Sequence, residues 1–347
     1  MAAQPEINQI LLKKQYYAIS DRLREYLREY DREMALPVTY GELLQYSDAF
    51  PLYDRYGHDT LWCSVIYDQS RMPEIFEGLT RTYVQLKTYG DESVMEHLSV
   101  SRVDYCTFGN SNPFRIRVVN LLNDNYDYFY LKKADASRVY GLELEHVLSP
   151  NRINYLVHGD SLIEEHIAGI PGDEFIKHYL DRPTLNKVRI AKEFVKFNER
   201  CFALLLGDMR SYNYVIDITP DFEEEQYRVR PIDFDQQCYE GKKTMYLPQF
   251  FKENNAIVNM CTQWLQPETI KQYQNEERTL VFRRLRLERY RLKHLIDCMR
   301  RDTLSTPEKT SQLREELAVH HKVEAFRQCE SMGDIVRLQL KHMVRPL

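Results

Sequence analysis

The residues best suited to do chemistry in this 347-residue chain lie in two short segments. The first segment, residues 207–213, reads GDMRSYN, and the second, residues 232–235, reads IDFD. They supply the carboxylates of Asp208 and Asp233 and the amide of Asn213. Carboxylate and amide oxygens are hard ligands of the kind that divalent cations take in proteins. The two segments therefore predict a site for a divalent metal ion and the phosphate oxygens that such an ion carries.

A long helix and a β-hairpin are expected to position these segments. Apolar residues recur with helical spacing from Pro183 to Leu205, which predicts a buried helix ending just before the first segment. Two strand-like runs then follow, joined by the polar connection TPDFEEEQ, and together they predict a hairpin. Asp208 would lie in the loop between helix and hairpin, and Asp233 would follow the second strand.

A second set of elements precedes the long helix. The stretches 98–108, 114–122 and 127–133 are strand-like and separated by turn residues, which predicts an antiparallel meander. A helix is expected over residues 136–148, because the proline at position 150 disfavours helix in the residue before it. Two further runs, 153–157 and 161–168, flank a His-Gly-Asp turn. The order β-β-β-α-β-β predicts a small half-domain.

At this point the two segments resemble the catalytic loop and metal-binding motif of the protein-kinase-like superfamily. The motif style is most similar to that of the aminoglycoside and choline kinase branch, through Gly207-Asp208, Asn213 and Ile232-Asp233-Phe234. That branch has a histidine where this chain has Leu206. The resemblance covers roughly residues 98–262, less than half of the chain.

The resemblance implies roles for five residues. Asp208 would be the base, or the group that orients the acceptor hydroxyl, and Arg210 stands where protein kinases carry a lysine that neutralises the transferred phosphate. Asn213 and Asp233 would be metal ligands, with Asp233 bridging the phosphates. Asp235 replaces the usual glycine. It could add a metal contact or cap a turn, and the sequence favours neither role.

The resemblance also implies nucleotide contacts in the meander and in the helix after it. Lys132 is similar to the strand lysine that pairs with nucleotide phosphates, whereas Lys133 would point to the other face of the sheet. Glu143 or Glu145, on the following helix, could hold that lysine by a charge-assisted hydrogen bond. Their spacing does not decide between them.

Two more regions are implied as nucleotide contacts. The run SLIEEH followed by IAGIPG looks like the hinge whose backbone groups bind adenine, so Glu165, His166 and Ile167 mark that region. In the first hairpin, Gly109 and Ser111 replace the full glycine-rich loop, and its backbone N–H groups could contact phosphate. The missing glycines favour the sugar and antibiotic kinases over the protein kinases.

Composition sets the broader limits. The net charge of −5 argues against a protein whose main task is to coat nucleic acid, so nucleic acid is not expected as a partner. The seven cysteines show no zinc-site spacing and are expected as reduced thiols. No apolar run of about 18 residues is present, which predicts no membrane span and a cytoplasmic location.

The whole sequence is therefore interpreted as an α+β, bilobal protein-kinase-like fold. The expected divisions are a mostly helical N-terminal extension (1–97), a small lobe (98–168) and a helical large lobe (169–347). The expected function is ATP- and Mg²⁺-dependent phosphorylation of a hydroxyl group on a small molecule.

Several alternatives remain at this point. The chain could be a protein kinase, an adenylyl transferase on the same frame, or an inactive kinase-like scaffold that senses nucleotide. A scaffold could bind a protein partner through the N-terminal extension. The basic helix over residues 283–301 could instead bind a polyanion, although such a stretch is more often the solvated face of a helix.

Overall fold

The structure is a computed structural model that describes residues 14–54, 56–88, 90–108, 111–221 and 225–343. Its α-helices, in chain order, are α1 (Asp21–Glu29), α2 (Tyr40–Leu43), α3 (Met72–Thr88), α4 (Ala136–Leu148), α5 (Gly172–His178), α6 (Lys187–Leu204), α7 (Asn255–Trp264), α8 (Pro267–Leu287), α9 (Arg289–Met299), α10 (Pro307–His321) and α11 (Met332–Met343). Among these residues no helix is both long and apolar enough to cross a membrane.

The strands, in chain order, are β1 (Asp48–Tyr53), β2 (Asp59–Ile66), β3 (Leu98–Cys106), β4 (Phe114–Asn120), β5 (Tyr126–Lys133), β6 (Tyr155–His158), β7 (Ser161–Glu165), β8 (Ile170–Pro171), β9 (Tyr214–Pro220) and β10 (Glu225–Pro231). They form a seven-stranded and a three-stranded sheet. Every pairing between these strands is antiparallel.

The chain divides into two compact units. Among the described residues, the first holds 14–16, 34–134 and 155–166, and the second holds 17–33, 135–154 and everything after 166. These limits differ from the predicted ones at 97 and 168. Helix α4 belongs to the second unit, whereas β1 and β2, inside the predicted helical extension, belong to the sheet of the first.

The first unit is a seven-stranded sheet with helix α3 packed on it. The strand order is β1-β2-β3-β4-β5-β7-β6. Alternate residues of β4, Phe114, Ile116 and Val118, are buried, as expected for a strand with one face in the core. Ile75 and Leu79 of α3 complete this core. The sequence predicted the five strands β3–β7 and missed the two at the edge.

The second unit is mostly helical and contains the small sheet β10-β9-β8. Its longest buried element is α6, which starts after Asn186, whose side chain accepts a hydrogen bond from the Arg189 N–H. Residues at helical spacing along α6, among them Ile190, Phe194 and Phe197, are buried. The helix ends at Leu205, which adopts a left-handed conformation with φ 54°.

The structure confirms the predicted mixed class, with an antiparallel sheet unit and a mostly helical unit. The element order β3-β4-β5-α4-β6-β7, followed by helices, is the order expected for a kinase-like fold. Helix α4 has the predicted bounds, and α10 begins at Pro307 and is capped by the side chain of Thr306.

Candidate active site

Asp208 lies in a tight loop that leaves the end of α6. It has a positive φ of 57°, a region that aspartate tolerates better than most residues. The Gly207 N–H donates to the Gln236 carbonyl at 3.2 Å, and a Cβ at position 207 would lie only 3.0 Å from that oxygen. Glycine thus lets the Asp208 loop approach the segment that follows Asp233.

Asn213 fixes the conformation of the same loop. Its side-chain N–H donates to the Asp208 carbonyl at 2.7 Å, and the Arg210 backbone N–H donates to the same oxygen at 2.8 Å. The Ile232 N–H donates to the Asn213 carbonyl at 3.0 Å. The two segments singled out in the sequence are therefore hydrogen-bonded to each other, just before Asp233.

Arg210 binds two carboxylates. Its Nε donates to Asp208 Oδ1 at 2.8 Å, and its Nη1 donates to Glu253 Oε1 at 2.7 Å. Partial burial lowers the pKa of Arg210, but the hydrogen bond to Asp208 and its charge outweigh burial and raise the pKa. The guanidinium is therefore a permanent positive charge beside the proposed base.

Arg138 makes the second pair of ion bridges. It lies on α4 with only 2% of its surface exposed. Its Nη2 donates to Asp233 Oδ1 at 2.8 Å, and its Nε donates to Asp235 Oδ1 at 2.7 Å. Asp233 Oδ1 also accepts the Asp235 N–H at 3.0 Å. The turn is thus capped by Asp233, and the Asp235 side chain forms an ion pair.

The side-chain oxygen atoms of Asn213 and Asp233 are of the kind that bind Mg²⁺, which takes carboxylate and amide oxygens as ligands. The Asp233 side chain is 33% exposed and that of Asp235 is 12% exposed. In the part of the chain that the structure describes, no group of three or more His, Cys, Asp or Glu side chains is placed to hold a metal. Any ion here would share Asp233 with the Arg138 guanidinium.

Lys132 has an acidic partner inside its own sheet. Its Nζ lies 2.6 Å from Glu164 Oε2, and the side chain is buried. In the β5–β7 register, Glu164 faces Tyr130 and Leu162 faces Lys132, so lysine and glutamate are diagonal neighbours on one face. Lys133 is exposed, as the alternation of the strand predicts.

The two glutamates proposed as partners of Lys132 are held by arginines of the second unit. Glu143 is fully buried and accepts hydrogen bonds from Tyr26 at 2.6 Å and from Arg291 at 2.7 Å. Glu145 Oε1 lies 3.5 Å from Arg200 Nε. Burial raises the pKa of Glu145, and the charge of Arg200 opposes that rise. The structure thus gives Lys132 a different acidic partner from the two proposed.

The expected hinge residues occupy the end of β7 and the chain after it. Glu165 Oε2 lies 3.5 Å from Lys87 Nζ, and the ring of His166 packs beside Tyr130. Burial lowers the pKa of His166. The chain passes from the first unit to the second between His166 and buried Ile167, where a hinge was expected.

The residues expected at the first hairpin are only partly covered. Ser111 is half-buried in the connection between β3 and β4, and Gly109 lies outside the described residues. Their contribution to phosphate binding therefore stays a prediction.

Sequence reasoning missed three residues that shape this site. Arg138 and Glu253 were not considered, although an arginine in a helix that is otherwise buried is a signal for a buried ion pair. Asn254 is fully buried, donates to the Met209 carbonyl at 2.9 Å and accepts from the Tyr214 hydroxyl at 3.0 Å. No local pattern marks its contacts to the catalytic loop and to β9, because those two partners lie 45 and 40 positions away.

Two solved structures are similar to this chain. The autoinhibited serine kinase domain of the giant muscle protein titin is 14% identical, with a TM-score of 0.28, and the match covers 72% of this chain and 94% of that one. Titin kinase with its flanking domains matches with the same identity and TM-score, over 74% of this chain and 56% of that one. No protein-family model matches the sequence, and no curated protein matches it. Matches this weak support no inference about function.

Proposed function

We propose that this chain is an ATP- and Mg²⁺-dependent phosphotransferase that acts on a hydroxyl group of a small molecule. The observation that carries the proposal is the double hydrogen bond to the Asp208 carbonyl, from the Arg210 N–H and the Asn213 side chain. It fixes a carboxylate, an amide and a guanidinium in one loop. Phosphoryl transfer depends mainly on such positioning and on charge stabilisation.

Each residue has a role in the proposed reaction. Asp208 accepts the proton of the acceptor hydroxyl or orients that hydroxyl, and Arg210 supplies positive charge for the transferred phosphoryl group. Asn213 and Asp233 would hold Mg²⁺, which when bound neutralises phosphate oxygens. Lys132 and the segment from Glu165 to Ile167 are the proposed contacts to phosphate and adenine.

A transfer assay tests this function. The purified chain is incubated with ATP labelled in its γ-phosphate, Mg²⁺ and a panel of sugars, amino alcohols and nucleosides, beside an Asp208→Asn variant. Label should pass to at least one hydroxyl-bearing compound, and the variant should lose this activity. Transfer at an unchanged rate by Asp208→Asn would remove the proposed base.

A second candidate function is a kinase-like scaffold that binds nucleotide without a metal ion. Arg138 favours it, because its guanidinium forms ion pairs with both Asp233 and Asp235, the carboxylates that a metal ion would otherwise use. A scaffold of this kind would bind ATP equally well in Mg²⁺ and in EDTA and would transfer no phosphate.

A further inference from the structure

We propose that a groove between α8, α9 and α11 binds a single-chain lipid with a phosphate-bearing head group. This basic groove is a cavity of about 660 Å³, within the size range of small-molecule sites. Its floor is apolar and its rim is basic. The inference does not depend on the proposed phosphotransferase, because none of the catalytic-site residues lines the groove.

The floor of the basic groove is suited to an alkyl chain. Phe282 and Leu285 of α8 are only partly buried, one helical turn apart, and face the cavity. Leu292 of α9 and Leu340 of α11 continue the apolar lining. Each methylene that leaves water for such a surface adds to the affinity through the hydrophobic effect. An alkyl chain would therefore cover apolar surface that the described residues leave open.

The rim carries a concentration of positive charge. Arg289 and Lys293 lie one turn apart on α9, and Arg337 and Lys341 lie one turn apart on α11, all four exposed. Asp297 is the one acidic residue among those lining the cavity, so four cations and one carboxylate leave three net positive charges. Like charges one turn apart repel each other, and an anion bound between them would relieve that repulsion.

Three of the four rim cations differ from the arginines elsewhere in the described part of this unit. Among the described residues no carboxylate lies within 4.0 Å of Lys293, Arg337 or Lys341, whereas Arg200 and Arg291 are both paired with buried glutamates. The Arg289 guanidinium lies over the Tyr290 ring. These groups have N–H donors available for phosphate oxygens, which arginine binds in a two-pronged geometry.

A dianionic head group fits this rim better than a carboxylate or a zwitterion. A phosphate monoester carries nearly two negative charges at neutral pH and offers several acceptor oxygens. Two pairs of cations on facing helices can share those oxygens. The apolar floor beside them favours a lipid over a simple polyanion, because nucleic acid has no alkyl chain to place there.

The test is a calorimetric titration of the full chain with a short-chain lysophosphatidic acid, kept below its micelle concentration. The same titration is run with the matched lysophosphatidylcholine, the matched fatty acid and inorganic phosphate. Lysophosphatidic acid should bind at least about tenfold more tightly than the other three, since only its head group can make charge-assisted hydrogen bonds to both pairs of rim cations while its alkyl chain covers the floor. Equal affinity for the phosphate and choline lipids would overturn the proposal.

Two variants separate the head-group contacts from the floor. Lys293→Ala/Arg337→Ala should weaken lysophosphatidic acid binding at least about tenfold and leave the choline lipid unchanged. Leu285→Asn should weaken both lipids. The control is Arg283→Ala, an exposed arginine of α8 that does not line the groove. Binding of a duplex RNA that is lost in Lys293→Ala/Arg337→Ala, without any lipid binding, would replace the lipid by a polyanion.

Discussion

The second unit contains two clusters of cations with opposite surroundings. At the candidate active site, Arg138 and Arg210 each bind two carboxylates. At the basic groove, Lys293, Arg337 and Lys341 lie on the rim above an apolar floor, and among the described residues no carboxylate pairs with them. Paired cations hold carboxylates in position for chemistry. Unpaired cations beside apolar surface are suited to recruit an anion.

Burial sharpens the difference between the two clusters. Arg138 is 2% exposed, so its charge has left water and depends on Asp233 and Asp235. The groove cations are exposed and keep their hydration. Breaking a buried ion pair typically costs about 3–5 kcal/mol, whereas an exposed charge contributes about 1 kcal/mol or less. The same kind of substitution should therefore destabilise the protein strongly at one cluster and only slightly at the other.

The largest effect is expected at Asp208. Its exchange for asparagine keeps the shape of the side chain but removes the proton acceptor, so turnover should fall by about 10²–10⁴-fold. Initial rates of phosphate transfer measure this. Tyr212→Phe, at an exposed neighbour in the same loop, is the control and should stay within a few-fold of the wild type. A variant at Asp208 that matches the control would show that the paired arginine cluster has no catalytic role.

Arg138→Met should lower the free energy of unfolding by about 3 kcal/mol in EDTA, because it removes a buried guanidinium that pairs with both Asp233 and Asp235. Urea denaturation measures this, and Mg²⁺ should restore part of the loss by binding the two carboxylates in place of the guanidinium. Arg138→Lys keeps the charge and should lose less stability. A Met variant as stable as the wild type would mean that Arg138 does not stabilise the two aspartates.

His146 is a buried basic group, and its burial predicts that the free energy of unfolding depends on pH. Burial, and then the charge of Arg32, lower the pKa of His146 from its usual 6.5 to about 4. As the pH is lowered, the unfolded chain protonates this histidine near pH 6.5, whereas the folded chain protonates it only at a lower pH. The contribution of His146 to stability is therefore complete above pH 6.5 and is lost between pH 6.5 and 4. The loss should approach roughly 3 kcal/mol at pH 4.

Urea denaturation at pH 7.5 and pH 5, beside a His146→Gln variant, isolates this group. The variant should lose less stability than the wild type on acidification. His321, whose pKa burial also lowers to about 4, contributes equally to both proteins. Identical acid sensitivity in the two proteins would exclude His146 as the titrating group.

The smallest effect is expected at the groove. Lys293→Ala and Arg337→Ala should each change the free energy of unfolding by less than about 0.5 kcal/mol, because both side chains are exposed and pair with no carboxylate among the described residues. Thermal denaturation measures this. A decrease of 2 kcal/mol or more in the free energy of unfolding would show that these cations stabilise the fold. The proposed difference between them and Arg138 would then be wrong.

Much of this fold could be predicted because its signals are local. The bounds of α4 follow from Asp135, which caps its start, and from the proline at position 150 after its end. Helix α6 is recognisable from the helical spacing of the apolar residues on its buried face. Strands β1 and β2 were missed because their exposed, irregular pattern lacks the alternation of a half-buried strand.

The candidate site could be predicted only where its residues share a motif. Asp208, Asn213 and Asp233 were found because a loop and a hairpin carry them in fixed order. Arg138 was missed because Asp233 lies 95 positions away, and Glu164 because β5 and β7 pair without a connecting hairpin. Such contacts are properties of tertiary packing, and spacing along the chain does not encode them.

The central claim is that Asp233 takes part in a magnesium and nucleotide-phosphate site. Calorimetric titration of the full chain with ATP, in Mg²⁺ and in EDTA, beside an Asp233→Asn variant, tests it most directly. We predict binding that is at least about tenfold tighter in Mg²⁺, with that gain lost in the variant. Equal affinity in Mg²⁺ and EDTA, or an unchanged magnesium dependence in Asp233→Asn, would contradict the claim.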